Sequence, residues 1–205
     1  LDLALDGVLW GAFGTTGQRC TATSRLIIHE KVYDKLMNML VDRTKKLRLG
    51  DGLKPDTDVG PCVNESQRKT VESYVEIGKK EGATLVVGGT AAKGNGLSKG
   101  WFHEPTIFSD VTPAMRIAKE EIFGPVLSVL RVKSLEDAIT TLNNTIYGLS
   151  SSVYTRDVNK AFTAMRDIKA GITYINASTI GAEAHLPFGG VKQTGNGHRE
   201  GGWTV

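Results

Sequence analysis

The sequence predicts an α/β fold, with a mostly parallel β-sheet covered by helices on both faces. Three observations predict it. Short β-branched and apolar runs alternate along the chain with longer segments whose apolar residues recur at helical spacing. Gly, Pro and Asp clusters punctuate the changes from one pattern to the other. Residues 125–132 form a strong apolar run, the mark of a strand in a sheet covered on both sides.

Each element follows from its local pattern. Leu1, Leu5, Val8, Leu9, Ala12 and Phe13 place an amphipathic helix over 1–14. Residues 24–29 read as a short buried strand, and 30–49 as a long surface helix closed by Gly50. Residues 51–61 are a loop rich in Gly, Pro and Asp. A second long helix is expected over 64–82, capped by Asn64 and striped by Val71, Tyr74, Val75 and Ile77. Then follow a strand at 84–88, a polar excursion from Gly88 to Gly100, and strands at 102–109 and 125–132. A helix over 135–144, a strand over 149–155, a helix over 158–168 and a strand over 171–176 complete the pattern.

Composition narrows the class. The 205 residues are 40% hydrophobic and 23% charged, which suits one globular core. Cys20 and Cys62 cannot staple so long a chain, which excludes a disulfide scaffold and fits a reducing, cytoplasmic setting. A formal charge of +3, mixed in sign, gives no reason to expect a nucleic-acid partner. No apolar run approaches the length of a membrane span and no signal peptide opens the chain, so no membrane association is expected. The 24 glycines are an excess, and several cluster near three segments rich in reactive or turn-forming residues: Gly14, Gly17, Gly124, Gly189, Gly190, Gly195 and Gly197.

The first segment is Phe13-Gly14-Thr15-Thr16-Gly17-Gln18-Arg19-Cys20-Thr21. By position alone Cys20 reads as a packing residue, because free cysteine is among the most buried types. Its small neighbours let backbone amides approach a reacting oxygen, and Arg19 adds a positive charge beside it, as a nucleophilic thiol requires. Cys62 has no such surroundings and reads as structural. The second segment, Ala118-Lys119-Glu120-Glu121-Ile122-Phe123-Gly124-Pro125, sets two carboxylates before a buried strand. They read either as solvated surface or as one carboxylate turned into a cleft to accept from ligand hydroxyls. The third, Leu186-Pro187-Phe188-Gly189-Gly190-Val191-Lys192-Gln193-Thr194-Gly195, is a tight loop around a ring that serves packing or walls a pocket. No metal site is indicated.

In order and spacing these three segments resemble the aldehyde dehydrogenase superfamily, and the resemblance covers essentially the whole chain. It implies an aldehyde dehydrogenase catalytic-domain-like fold, with Cys20 as nucleophile, Glu121 gripping a cofactor ribose, Phe123 walling the nicotinamide pocket and Phe188 walling the aldehyde tunnel. The implied reaction is NAD(P)+-dependent oxidation of an aldehyde to an acid through a thiohemiacetal and a thioester. The resemblance also implies that residues 1–205 are the thiol-bearing part of a longer chain, without the preceding cofactor-binding domain, its general base and an oxyanion-stabilising Asn, or the final oligomerisation strand. A piece of that kind is expected to be inactive alone and to self-associate, whereas the whole enzyme is a homo-oligomer. NAD and NADP are not distinguished.

Arg19 could pair with the far carboxylate of a semialdehyde, or bond backbone carbonyls as a structural arginine. Residues 180–185 are similar to those of 2-oxoglutarate semialdehyde dehydrogenases and their sugar-aldehyde relatives, and His185 is either a substrate contact or solvated. Two rival readings remain: an inactive scaffold or interaction module of the same fold, and a thiol esterase or acyltransferase that needs no nicotinamide. The second gives no reason for the 120–125 segment.

Overall fold

The computed structural model of the chain describes residues 1–94, 96–183 and 185–195. Gly197, one of the clustered glycines, and position 184 within the 180–185 segment lie outside the described residues. Six helices and six strands follow in the order α1 (Asp2–Phe13), β1 (Arg25–His29), α2 (Glu30–Thr44), α3 (Glu65–Lys80), β2 (Thr84–Val87), β3 (Thr106–Ser109), α4 (Arg116–Lys119), β4 (Val126–Val132), α5 (Leu135–Asn143), β5 (Ser150–Val153), α6 (Val158–Asp167) and β6 (Ile172–Ile175), with one short 3₁₀ turn at Leu97–Lys99 among the described residues.

Among the described residues the strands form two sheets rather than one: a four-stranded sheet in the order β1-β4-β3-β2 and a two-stranded sheet of β5 and β6. The pairs β1–β4, β3–β4 and β5–β6 are parallel, and β2 runs antiparallel at the edge. Side-chain alternation along the central strands divides the core in two. Ile107, Leu127 and Val129 face one way, onto Leu5, Leu9 and Phe13 of α1 and Leu36 and Leu40 of α2. Phe108, Val126 and Leu130 face the other way, onto Val71 and Val75 of α3 and Ile117 of α4. Helices therefore cover both faces of the larger sheet, as the alternating pattern predicts.

Three expected elements are shorter or more open than the sequence suggests. The 30–49 helix stops at Thr44, because Arg48 bonds Asp58 through its backbone N–H (2.8 Å) and its guanidinium (2.9 and 3.1 Å), and Leu49 bridges Val59. Those ties draw the chain out of the helix toward the 51–61 loop. The 102–109 strand begins only at Thr106, because Pro105 has no N–H to give to a ladder and His103 pairs separately with Ala91. Strand β1 is half-buried except for Ile28, since it is the edge of its sheet and not an interior strand. The caps behave as local chemistry requires: Asn64 Oδ1 accepts from the Gln67 N–H (2.8 Å), and Ser134 Oγ accepts from that of Asp137 (3.0 Å).

One buried histidine links the fold to pH. His103 is fully buried, its Nδ1–H donates to the Glu104 carbonyl (2.9 Å), and Nε2 has no partner among the described residues. Burial holds its pKa below the ordinary 6.5, with the Glu104 carbonyl and nearby carboxylates opposing weakly. The unfolded chain thus binds a proton that the folded chain refuses. Stability is full above the unfolded pKa and declines as pH falls from about 6.5 toward the lower folded value. Urea midpoints at pH 7 and 5.5 should show this loss, and His103→Gln should lessen it; an equal loss in both proteins would refute the assignment.

Candidate active site

Helix α1 ends at Phe13, and the chain then turns repeatedly before β1. The Thr16 N–H donates to Phe13 O (2.9 Å), the Gln18 N–H to Thr15 O (3.0 Å) and the Ala22 N–H to Arg19 O (3.0 Å). Thr16 and Gly17 both sit at left-handed φ, 57° and 63°. The result presents Cys20 as a free, exposed thiol beside an exposed Arg19, so the packing reading of Cys20 does not hold. Cys62, by contrast, is buried, and burial pushes its thiol pKa up.

The turn before β4 comes directly against this one. A Cβ on Gly17 would lie 2.1 Å from the Gly124 carbonyl oxygen, so the two backbones touch only because residue 17 has no side chain. Phe123 adopts φ 56°, a left-handed conformation rare for a bulky residue, and the residue is 41% exposed. The Gln67 side chain holds that conformation by donating from Nε2 to the carbonyls of Ile122 and Phe123 (2.9 Å each).

The two adjacent carboxylates have different surroundings. Glu120 is taken by Arg116, which donates from Nε and Nη2 (2.8 Å each), and by the Tyr74 hydroxyl (2.8 Å). Arg116, and then Tyr74, hold its carboxyl below the usual range. Glu121 is exposed and, like Glu120, lines a cavity of about 600 Å³ whose wall also includes Arg19, Cys20 and Phe123. Strands β1 and β5 flank the same cavity, which lies in the gap between the two sheets. Phe188 is half-buried and stands outside that lining, as does the exposed His185.

The loop bearing Phe188 is fastened to the segment after α5. The Val191 N–H donates to Gly148 O (2.9 Å), the Gln193 N–H to Ile146 O (3.0 Å), and Lys192 Nζ to the carbonyls of Asn143 (2.8 Å) and Thr145 (3.1 Å). Desolvation, then repulsion from Arg25 and Lys169, lowers the Lys192 pKa. Lys192 thus caps the end of α5.

A family model described as the aldehyde dehydrogenase family matches residues 1–205. The chain belongs to the aldehyde dehydrogenase family. It is 41% identical over 202 residues to the alpha-ketoglutaric semialdehyde dehydrogenase of Bacillus subtilis, covering 98% of this chain and 41% of that protein. It is 44% identical over 201 residues to the betaine aldehyde dehydrogenase of Brucella anthropi, with 98% and 41% covered. The betaine aldehyde dehydrogenase of Staphylococcus aureus, solved with NAD+, superposes with a TM-score of 0.94 at 38% identity, over 98% of this chain and 40% of that one. The chain therefore spans about two fifths of the length of these relatives. Among the described residues of this family member, no helix is long and apolar enough to cross a membrane.

Residues that serve the site without reactive chemistry escaped the sequence reading. Gln67 stands three residues after the cap Asn64, where its side chain would ordinarily reach back to the cap N–H. It instead crosses to Ile122 and Phe123, a long-range contact with no local signal. Tyr74 was legible only as part of an apolar stripe, and Arg116 not at all.

Proposed function

We propose that this chain is the thiol-bearing catalytic part of a longer NAD(P)+-dependent aldehyde dehydrogenase. The observation that carries the reading is the single cavity shared by Cys20, Arg19, Glu121 and Phe123, which come from two segments a hundred residues apart. The Cys20 thiolate adds to the aldehyde carbon, making a carbon–sulfur bond and an oxyanion to which the Cys20 backbone N–H can donate. After oxidation, the thioester on Cys20 is opened by water, releasing the acid and restoring the thiol.

The residues present suit a nicotinamide cofactor. Glu121 offers a carboxylate free of the partners that hold Glu120, fit to accept from a pair of ribose hydroxyls, and the exposed Phe123 ring offers a flat apolar wall. When bound, the cofactor supplies the hydride acceptor. Phe188, outside the cavity itself, is assigned to the outer wall of the aldehyde path.

The decisive assay follows reduced nicotinamide in the full-length enzyme and in the 205-residue chain, each given aldehyde and cofactor. Steady formation is expected from the first and none from the second. No aldehyde-dependent formation in the full-length enzyme would overturn the proposal, and steady turnover by the segment would overturn its dependence on the rest of the chain.

The proposed substrate is a semialdehyde with a distant carboxylate, the class named in the Bacillus subtilis relative. Arg19, exposed on the cavity wall, can pair with that carboxylate and would repel a quaternary ammonium group. Arg19→Ala should lower kcat/KM for such a semialdehyde by about 10–100-fold, the equivalent of a charge-assisted hydrogen bond, and change a plain alkyl aldehyde little. Equal losses on both substrates would remove the carboxylate from the picture.

A further inference from the structure

The structure ties the thiol turn to a distant segment through one side chain. Gln18 Nε2 donates to the Pro61 carbonyl (3.3 Å), and Gln18 Oε1 accepts from the Val63 N–H (2.9 Å). Thr16 Oγ1 adds a third tie, donating to the Gly60 carbonyl (3.1 Å). An uncharged carboxamide can donate and accept at once, so Gln18 pairs with residues 61 and 63 much as a neighbouring strand would.

The segment so gripped is well founded. It leads directly into α3 through the Asn64 cap, and three residues into that helix Gln67 holds the carbonyls of Ile122 and Phe123. Residues 60–67 thus touch both turns that border the cavity, one through Gln18 and the other through Gln67. The thiol turn contains no helix or strand, and its bonds between residues 13 and 22 are single-turn contacts. Its far end is tied by the Thr23 N–H to the Gly11 carbonyl (2.9 Å) and by the Thr23 and Thr179 hydroxyls (2.8 Å), which leaves Gln18 as the side-chain tie nearest Cys20.

We propose that Gln18 is a positioning residue for the reaction at Cys20. Its carboxamide clamps the thiol turn to residues 61–63, and so holds the Cys20 sulfur and backbone N–H in register with the turn that carries Glu121 and Phe123. This rests on Cys20 being the nucleophile. Gln18 does not line the cavity, and it acts on the chemistry only through the backbone it fixes. Displacement of a reacting group by as little as an ångström costs on the order of 10²-fold in rate.

The test uses the full-length enzyme with Gln18→Ala and Gln18→Glu, beside Cys20→Ser. Gln18→Ala removes both bonds. Gln18→Glu keeps an acceptor for Val63 but sets a carboxylate against the Pro61 carbonyl. Each is expected to lower kcat by about 10²-fold with much smaller changes in either KM. The melting temperature should fall by only a few degrees, because the Thr16 tie and the contact of Gly17 with Gly124 remain. With an aldehyde deuterated at the carbonyl carbon, the isotope effect on kcat should rise, since misplacement slows the hydride step itself. Parental kcat in both variants, or a loss that follows only the folded fraction with an unchanged isotope effect, would overturn the inference. If Gln18→Ala does not fold, Gln18→Glu decides by the same readouts. Parental activity in Cys20→Ser would instead overturn the role of the thiol, which keeps the two failures apart.

Discussion

Cys20→Ser is expected to lower turnover of the full-length enzyme by at least about 10⁴-fold, the scale on which loss of a covalent nucleophile is felt. The thiol is free and exposed at the cavity, so the substitution removes no buried contact, and the fold and melting temperature should be unchanged. Oxygen replaces sulfur at nearly the same place, but a hydroxyl is a far weaker nucleophile at neutral pH than a thiol. Mass spectrometry after mixing with aldehyde and cofactor provides a second measurement. The parent should carry an acyl adduct on the peptide containing Cys20, and the variant should carry none. Turnover within tenfold of the parent would exclude Cys20 as nucleophile and with it the thioester route.

Gly17→Ala should be strongly destabilising. Residue 17 has φ 63°, and its added Cβ would fall 2.1 Å from the Gly124 carbonyl oxygen. The left-handed conformation costs a non-glycine residue about 1–2 kcal/mol, and overpacking against backbone about 1–3 kcal/mol more. A total of about 2–5 kcal/mol is expected, read as a lower urea midpoint at unchanged slope. Both turns must separate to admit the methyl, so cofactor affinity should weaken in the fraction that remains folded. A loss below about 0.5 kcal/mol would show that the two turns are not in contact.

Element types were legible because burial imposes its period on the sequence. The apolar stripe of α3, the near-continuous apolar run of β4 and the Asn64 cap are local patterns, and each appears where its pattern places it. Element ends were less legible. Nothing near Leu47 says that the helix has already stopped, because the competing bonds of Arg48 come from Asp58, ten residues away. The site was legible in part. Cys20, Arg19, Glu121 and Phe123 line one cavity, but Phe188, chosen on the same grounds, does not. Gln18, Gln67, Tyr74 and Arg116 act through contacts with residues far along the chain, and a sequence offers no sign of such pairings.

The sequence by itself determined the α/β class, the types and order of the main elements, and a set of motifs specific enough to point to the aldehyde dehydrogenase family. Those properties depend on periodicity, turn chemistry and local order, which are written in neighbouring residues. Only the tertiary structure decided that the strands divide into two sheets, that Glu120 is held by Arg116 and Tyr74 while Glu121, on the same cavity wall, lacks those partners, and that Gly17 and Gly124 meet backbone to backbone. Two adjacent glutamates are chemically identical in a sequence. They become different only when distant side chains arrive at one of them, and that arrival is a property of the packed chain.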